Sequence, residues 1–181
     1  MKNYIYLLFF TIVLNTYGQD KLVTKTAQIN FESLYLKSFQ DVKAVSRNVT
    51  CVVNSKTGEI AFLALIRGFE FETALMEEHF NENYMESNIF PKAIFRGKIE
   101  NFDTKLINQN VKDYKIIGAL TLHGIEKKIT VIAKISKNLN NDLVILSQFM
   151  VATDDYKIAV PNIVKNKISS KIKVTVDVVF L

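Results

Sequence analysis

Residues 69–97 read FEFETALMEEHFNENYMESNIFPKAIFRG, and the spacing of the apolar side chains changes twice within this stretch. Phe69 and Phe71 stand two apart, which is the spacing that places side chains on one face of a β-strand. The apolar residues that follow fall at helical offsets, and alternation returns after Pro91. The pattern therefore predicts a short helical segment set into a β-sheet.

The residues at the ends of this segment support a helical interpretation. Thr73 is suited to cap a first helical turn, and Asn83 followed three residues later by Glu86 has the form of a second capping box. Pro91 prevents the helix from resuming. We call residues 73–90 the helical insert, and we expect two short helices in it that cover one end of an apolar interior.

Outside the insert, the chain consists of segments in which apolar and polar residues alternate, the pattern typical of strands with one buried face. The last predicted strand alternates regularly over its whole length, so it needs a neighbouring strand to pair with. We expect the first strand to be that neighbour. Eight strands can close into a barrel that is filled by side chains or holds one small ligand. The sequence predicts an all-β fold with short helices: an antiparallel barrel of about eight strands, with the insert between strands 3 and 4. The eight segments are 22–33, 42–54, 59–72, 92–102, 111–122, 125–136, 143–151 and 168–181.

The first eighteen residues have the pattern of an export signal. Lys2 precedes an apolar run over residues 4–14, which is too short to span a bilayer, and small Gly18 stands where cleavage is expected. We therefore predict a signal peptide over residues 1–18, a single barrel domain over residues 19–181, and a periplasmic or secreted location.

Composition and charge exclude several functional classes. The net charge is +5. Lysines such as Lys171 and Lys173 alternate with apolar residues, as on the solvent-exposed face of a strand. The sequence has no basic patch with interspersed aromatic residues, so it does not indicate nucleic-acid binding. Weak peripheral contact with a membrane stays open. Cys51 is the only cysteine, so no internal disulfide can form, and its apolar surroundings predict a buried, inert thiol.

The sequence offers little support for catalysis or metal binding. No Gly-x-Ser-x-Gly elbow is present, and His79 and His123 are the only histidines. His79 lies beside Glu77, Glu78 and Glu82, a set that we interpret as the polar face of a helix rather than as a metal site. His123 precedes Gly124 in a predicted hairpin turn, where its side chain is expected to support the turn. We expect no catalytic residue, no metal and no cofactor.

Three groups of residues resemble the YceI-like family of polyisoprenoid-binding proteins, in the pattern of its smaller members. The first lies in and after the insert, the second surrounds the predicted hairpin turn, and the third follows the strand over 143–151. In the third group, Lys157 stands where many relatives have Gly, and the chain also lacks the Trp that larger relatives carry near the mature N-terminus. The matching residues are Leu75-Met76, 79–87, Pro91-x-Ala93-x-Phe95-x-Gly97, Gly118-x-Leu120-Thr121-Leu122-His123-Gly124-Ile125-x-Lys127, and Asp155-Tyr156-x-Ile158-x-x-Pro161.

The resemblance implies a lipocalin-like barrel that holds an isoprenoid or other long-chain lipid as its ligand in the bacterial cell envelope, without catalysis. Arg67, His79 and Arg96 are candidates for contacting a polar head group. Alternation alone does not separate a hollow barrel from a filled one, so an envelope protein-interaction module and, third, a lipid-modifying enzyme remain alternatives. The oligomeric state is open, with a dimer among the options. The predicted apolar lining is Phe62, Ile66, Phe69, Phe71, Met76, Phe80, Phe95, Leu120, Phe149 and Val174.

Overall fold

Seven of the eight alternating segments each contain one strand, and the third contains two. The computed structural model of the protein describes residues 20–33, 42–160 and 170–181, so the predicted signal peptide and Pro161 lie outside the described residues. The elements are β1 (Lys21–Ser33), β2 (Lys43–Asn54), β3 (Glu59–Leu65), β4 (Glu70–Phe71), α1 (Ala74–His79), β5 (Lys92–Ile99), β6 (Lys112–Leu122), β7 (Ile125–Lys137), β8 (Leu143–Ala152) and β9 (Lys171–Phe180).

Eight of these strands form a closed antiparallel barrel. The order around the wall is β1-β9-β8-β7-β6-β5-β3-β2, and pairing of β1 with β2 closes it. The predicted partnership of the first and last strands is confirmed, since Phe31 lies opposite Val174. The short β4 is an extra strand that pairs with β2.

The third predicted strand is interrupted. We expected one strand over residues 59–72, but a 3-10 turn at Ile66–Gly68 separates β3 from β4. The backbone N–H of Ile66 donates to the carbonyl of Pro91 at 2.9 Å, and the Ile66 side chain is buried. The break therefore turns an aliphatic side chain into the interior at the point where the insert returns to the sheet.

The insert differs in part from its prediction. The capping role of Thr73 is confirmed, because its hydroxyl oxygen accepts from the Met76 N–H at 3.3 Å. The prediction of a second short helix is wrong. Instead, α1 continues directly into a π-helical turn at Phe80–Tyr84, and Asn83 lies inside that turn. The Met85 N–H donates to the Phe80 carbonyl, and this wider turn brings Met85 into the interior. In the described part of the chain, no helix has the length and hydrophobicity needed to cross a bilayer.

The two ends of the barrel differ in how they are closed. We call the end that carries the insert, the 123–124 hairpin turn and the β8–β9 connection the mouth, and the opposite end the base. Buried aliphatic and aromatic side chains form a packed core at the base. The buried residues that fill it include Val53, Ile60, Ile99, Ile107, Ile135, Leu143 and Phe180.

The turn after β8 contains a non-glycine residue in an unfavourable backbone conformation. Lys157 ends the 3-10 turn at Thr153–Tyr156 with φ 53° and ψ 30°, in the left-handed region. A residue with a Cβ atom is disfavoured there by about 1–2 kcal/mol, and glycine is not. We therefore expect Lys157→Gly to raise the free energy of unfolding by up to about 1 kcal/mol, measured by urea denaturation. Lys157→Ala is the control and lacks this gain; equal effects of both variants would contradict the backbone explanation.

Candidate functional site

An apolar cavity occupies the mouth half of the barrel. Its volume is about 640 Å³, within the range of small-molecule binding sites. Strands from all sides of the barrel and the insert contribute to its wall. The interior is therefore hollow towards the mouth and solid towards the base.

All ten residues that the sequence analysis proposed as apolar lining lie on the wall of this cavity. Phe62, Phe95, Leu120, Phe149 and Val174 come from the strands. Ile66, Phe69, Phe71, Met76 and Phe80 come from the interrupted third strand and the insert. That these side chains contact a ligand remains a prediction.

A cluster of four phenylalanine rings joins the insert to the barrel. Phe80 of the insert lies 5.3 Å from Phe31, 5.9 Å from Phe69 and 4.9 Å from Phe71, measured between ring centroids. The sequence analysis did not include Phe31 in the predicted lining, although Phe31 lines the cavity. The cluster holds the insert across part of the mouth through favourable ring contacts.

The inner surface of β5 and β6 is shaped by a pair of glycines. Gly97 lies opposite Gly118 in the ladder. A Cβ atom at either position would come within 2.7 Å of Cζ of Phe95, at 2.7 Å for Gly97 and 2.5 Å for Gly118. Only the absence of a Cβ atom at both positions lets the Phe95 ring extend over this pair, towards the base. The ring thereby forms part of the cavity floor.

No Asp, Glu, Lys or Arg lines the cavity among the described residues, and the few polar lining groups are mostly at the mouth. Tyr84 and His79 come from the insert, and Thr153 follows β8. Burial raises the pKa of the Tyr84 phenol, so it is a neutral hydrogen-bonding group at ordinary pH. The deeper Ser147 hydroxyl donates to the Ile132 carbonyl at 2.8 Å. The wall is thus suited to an uncharged chain, with polar contacts available near its outer end.

The three candidate head-group residues have different locations. His79 lines the cavity. Arg67 is exposed, and its guanidinium donates to the side chains of Ser87 and Asn88 in the insert, so it ties the insert to the 3-10 turn. Arg96 lies on the outer face of β5, because the neighbouring Phe95 points inward, and it does not line the cavity.

His123 does more than support its hairpin turn. His123 and Gly124 have positive φ angles of 49° and 72°, as a tight turn requires. The imidazole is nearly buried: Nδ1 lies 3.2 Å from the Tyr156 carbonyl oxygen and Nε2 lies 2.9 Å from a Glu86 carboxylate oxygen. The Phe90 ring also contacts it. The side chain therefore links the hairpin, the insert and the turn after β8, which sequence spacing did not indicate.

Within the described ranges, no three His, Cys, Asp or Glu side chains converge as a metal site. Asp154 and Asp155 lie in the 3-10 turn, and Asp155 pairs with Lys127 at 2.6 Å. Burial and the nearby Asp155 charge raise the pKa of Tyr156. These polar contacts connect segments at the mouth and leave the cavity wall apolar.

Cys51 is fully buried in the core, and burial strongly raises the pKa of its thiol from 9.0. The unfolded chain releases this proton near pH 9, whereas the folded chain retains it, so stability is lost as pH rises above that point. We expect the free energy of unfolding to fall by about 1 kcal/mol per pH unit between pH 9.5 and 10.5, measured by urea denaturation. Cys51→Ala removes most of this slope, and an equal slope in that variant would contradict the assignment.

Comparisons with solved structures show the same fold. A polyisoprenoid binding domain from Saccharophagus degradans, implicated in plant cell wall breakdown, is similar with a TM-score of 0.74 at 13% identity, covering 88% of this chain and 97% of that chain. BcnA of Burkholderia cenocepacia has a TM-score of 0.64 at 9% identity, covering 84% and 95%. A YCEI protein of Campylobacter jejuni has a TM-score of 0.62 at 18% identity, covering 81% and 88%.

The comparison with curated proteins finds no match to this chain. The model of the YceI-like domain matches residues 17–180, which include every described strand and the insert. The resemblance seen in the insert, the hairpin turn and the segment after β8 is therefore confirmed across the domain. The chain belongs to the YceI-like family.

Proposed function

We propose that this protein binds one isoprenoid-like or other long-chain lipid in its interior and carries or sequesters it without chemical change. The observation that carries the proposal is the cavity of about 640 Å³ whose wall contains no Asp, Glu, Lys or Arg among the described residues. A similar fold in a polyisoprenoid binding domain supports it.

The size of the cavity defines what it can enclose. At about 30 Å³ for each water-sized atom, the 640 Å³ provides room for about 20 non-hydrogen atoms. Burying each methylene group contributes about 0.8 kcal/mol, whereas association itself costs about 4–15 kcal/mol. An enclosed chain of this length therefore gains enough free energy for stable binding without any charged contact.

The polar groups at the mouth favour one orientation of the ligand. The apolar tail lies towards the floor at Phe95, and an oxygen of the head group lies near His79 and Tyr84. A charged head group remains outside, because burying an unpaired charge is strongly unfavourable.

The alternative is a barrel that is filled throughout and acts only as an interaction module. Such filling agrees with the packed base but not with the cavity at the mouth. The cavity supports the lipid carrier over that alternative. A lipid-modifying enzyme requires a cluster of polar groups at the ligand, whereas the Ser147 hydroxyl on the wall is engaged with a carbonyl. We therefore propose a non-catalytic role.

We further propose that the protein acts in the bacterial cell envelope, as a periplasmic or secreted protein. The support is the signal-like sequence over residues 1–18. Peripheral contact with a membrane, at which lipid is exchanged, and a dimeric state belong to the same proposal and are open to test by vesicle flotation and light scattering.

Lipid extraction tests the proposed function directly. Protein purified from its native host is extracted with organic solvent, and the extract is analysed by mass spectrometry against the protein concentration. We expect an apolar compound at about one molecule per chain. Repeated extraction without stoichiometric lipid, together with no binding of added prenyl quinones, would contradict the proposal.

A further inference from the structure

The wall of the barrel is incompletely paired at one seam. The ladder between β7 and β8 extends only from Lys137 opposite Leu143 to Ala133 opposite Ser147. Towards the mouth, the same register would set residues 128–132 of β7 opposite 148–152 of β8, but no ladder pairs join them. We call this unpaired region the slot.

The two edges of the slot are firmly held on their other sides. The β6–β7 ladder continues to Leu122 opposite Ile125, and the β8–β9 ladder continues to Ala152 opposite Lys171. The slot is therefore a separation of two well-formed hairpins rather than a frayed strand. Two other seams among the described strands also end their ladders early: β1–β9 stops at Gln28 opposite Asp177, towards the base, and β2–β3 stops at Thr50 opposite Leu63, beyond which β4 pairs with β2.

The slot has a defined lower and upper boundary. At the lower boundary, the Ser147 hydroxyl donates to the Ile132 carbonyl at 2.8 Å, so a side chain replaces the next ladder bond. At the upper boundary, the Lys127 ammonium lies 2.6 Å from a carboxylate oxygen of Asp155. Both of these charged side chains are about half exposed, and an exposed ion pair contributes little to stability.

The slot adjoins the cavity directly. Ile129 and Val131 of β7 and Phe149 and Val151 of β8 line the cavity at this seam. On the outer surface, Ile132 and Met150 are about half exposed, with relative exposures of 52% and 47%. Each edge of the slot therefore carries an exposed apolar side chain on the outer surface, beside the polar Thr130 and Gln148, and two apolar side chains on the cavity wall.

The geometry points to the slot as the passage through which the lipid chain reaches and leaves the cavity, with the Lys127–Asp155 pair as its latch. This inference rests on the proposed function. Widening the slot breaks no ladder hydrogen bond, whereas moving the insert exposes the Phe80 ring and separates it from its three aromatic neighbours. The His123 contact with the Tyr156 carbonyl, and a hydrophobic cluster that joins buried Tyr156 and Ile158 to Leu122 and Ile125, also link the two sides at the upper boundary.

Cross-linking across the slot tests the passage. Continuing the register places Thr130 opposite Met150, both on the outer face, and the double variant Thr130→Cys/Met150→Cys is joined by a short bis-maleimide. The native Cys51 is fully buried and does not compete for the reagent. Stopped-flow fluorescence with cis-parinaric acid is expected to show association and dissociation both slowed about tenfold or more, with the dissociation constant unchanged.

The matched control places the same cross-link on the same two strands, where the ladder is intact. Lys134 lies opposite Leu146, so the control variant is Lys134→Cys/Leu146→Cys, and its rates are expected to equal those of the uncross-linked protein. Equal rates in the two cross-linked variants would overturn the passage while leaving the proposed function intact. Absence of cis-parinaric acid and prenyl quinone binding before cross-linking would overturn both.

A second pair of variants tests the latch. Lys127→Met removes the ion pair at the slot, and Lys134→Met removes an exposed pair with Asp113 on the same strand, outside the slot. We expect Lys127→Met alone to accelerate both rates about threefold or more at an unchanged dissociation constant. Equal rates in the two methionine variants would overturn the assignment of the latch.

Discussion

Val174→Trp is expected to reduce the affinity for prenyl quinones by about 100-fold or more, equivalent to about 2.7 kcal/mol. Val174 points into the cavity from β9, and Trp adds about seven non-hydrogen atoms there. Each methylene of ligand that no longer fits forfeits about 0.8 kcal/mol. The dissociation constant is measured by titration, with the free energy of unfolding from urea denaturation as the check on folding.

The control for this variant is Asp177→Trp, on the exposed outer face of the same strand. It introduces the same aromatic side chain without entering the cavity, so its affinity is expected to equal that of the original protein. The free energy of unfolding of Val174→Trp is expected to stay level or rise, because the new ring fills empty volume. Unchanged affinity of a folded Val174→Trp protein would place the lipid outside the barrel.

The barrel was predictable from sequence because alternation and closure depend on local, repeated features. The long hairpin at His123 and Gly124 and the terminal strand around Val174 alternate over their whole length, so their pairing follows from the pattern. The lining was predictable for the same reason: in a barrel, an inward position on any strand faces the one interior.

Three features depended on contacts that the pattern does not contain. The π-helical turn forms because Met85 reaches the interior, which outweighs the capping tendency of Asn83. The position of the Phe95 ring depends on Gly97 and Gly118 lying opposite each other on two strands, which alternation within one strand does not contain. The division into a hollow mouth and a filled base depends on three-dimensional packing, because both halves share the same apolar alternation.

Phe95 is expected to limit the length of chain that the cavity accepts. Its ring reaches over Gly97 and Gly118 towards the filled base and lines the deep part of the cavity together with Ile116 and Ile145. Removing a ring of this size leaves a void on the order of 100 Å³, enough for about three further carbon atoms of a prenyl chain at about 30 Å³ each. The loss of buried contacts lowers the free energy of unfolding by about 3 kcal/mol.

Affinities for a series of prenyl alcohols, each one unit longer than the last, measure this limit. With the original protein, affinity rises with length until about 20 non-hydrogen atoms are enclosed, and is then level because further units remain outside. Phe95→Ala is expected to enclose about three further carbon atoms, with a gain of about tenfold or more for the alcohol just beyond the original limit.

Phe102→Ala is the matched control for the length limit. Phe102 packs against the core and against Tyr114 but lies outside the cavity wall, so its removal weakens the fold without lengthening the cavity. Its affinity profile is expected to level off at the original length. If the affinity profile of Phe95→Ala also levels off at the original length, the Phe95 ring does not limit the chain. Another part of the wall then forms the floor.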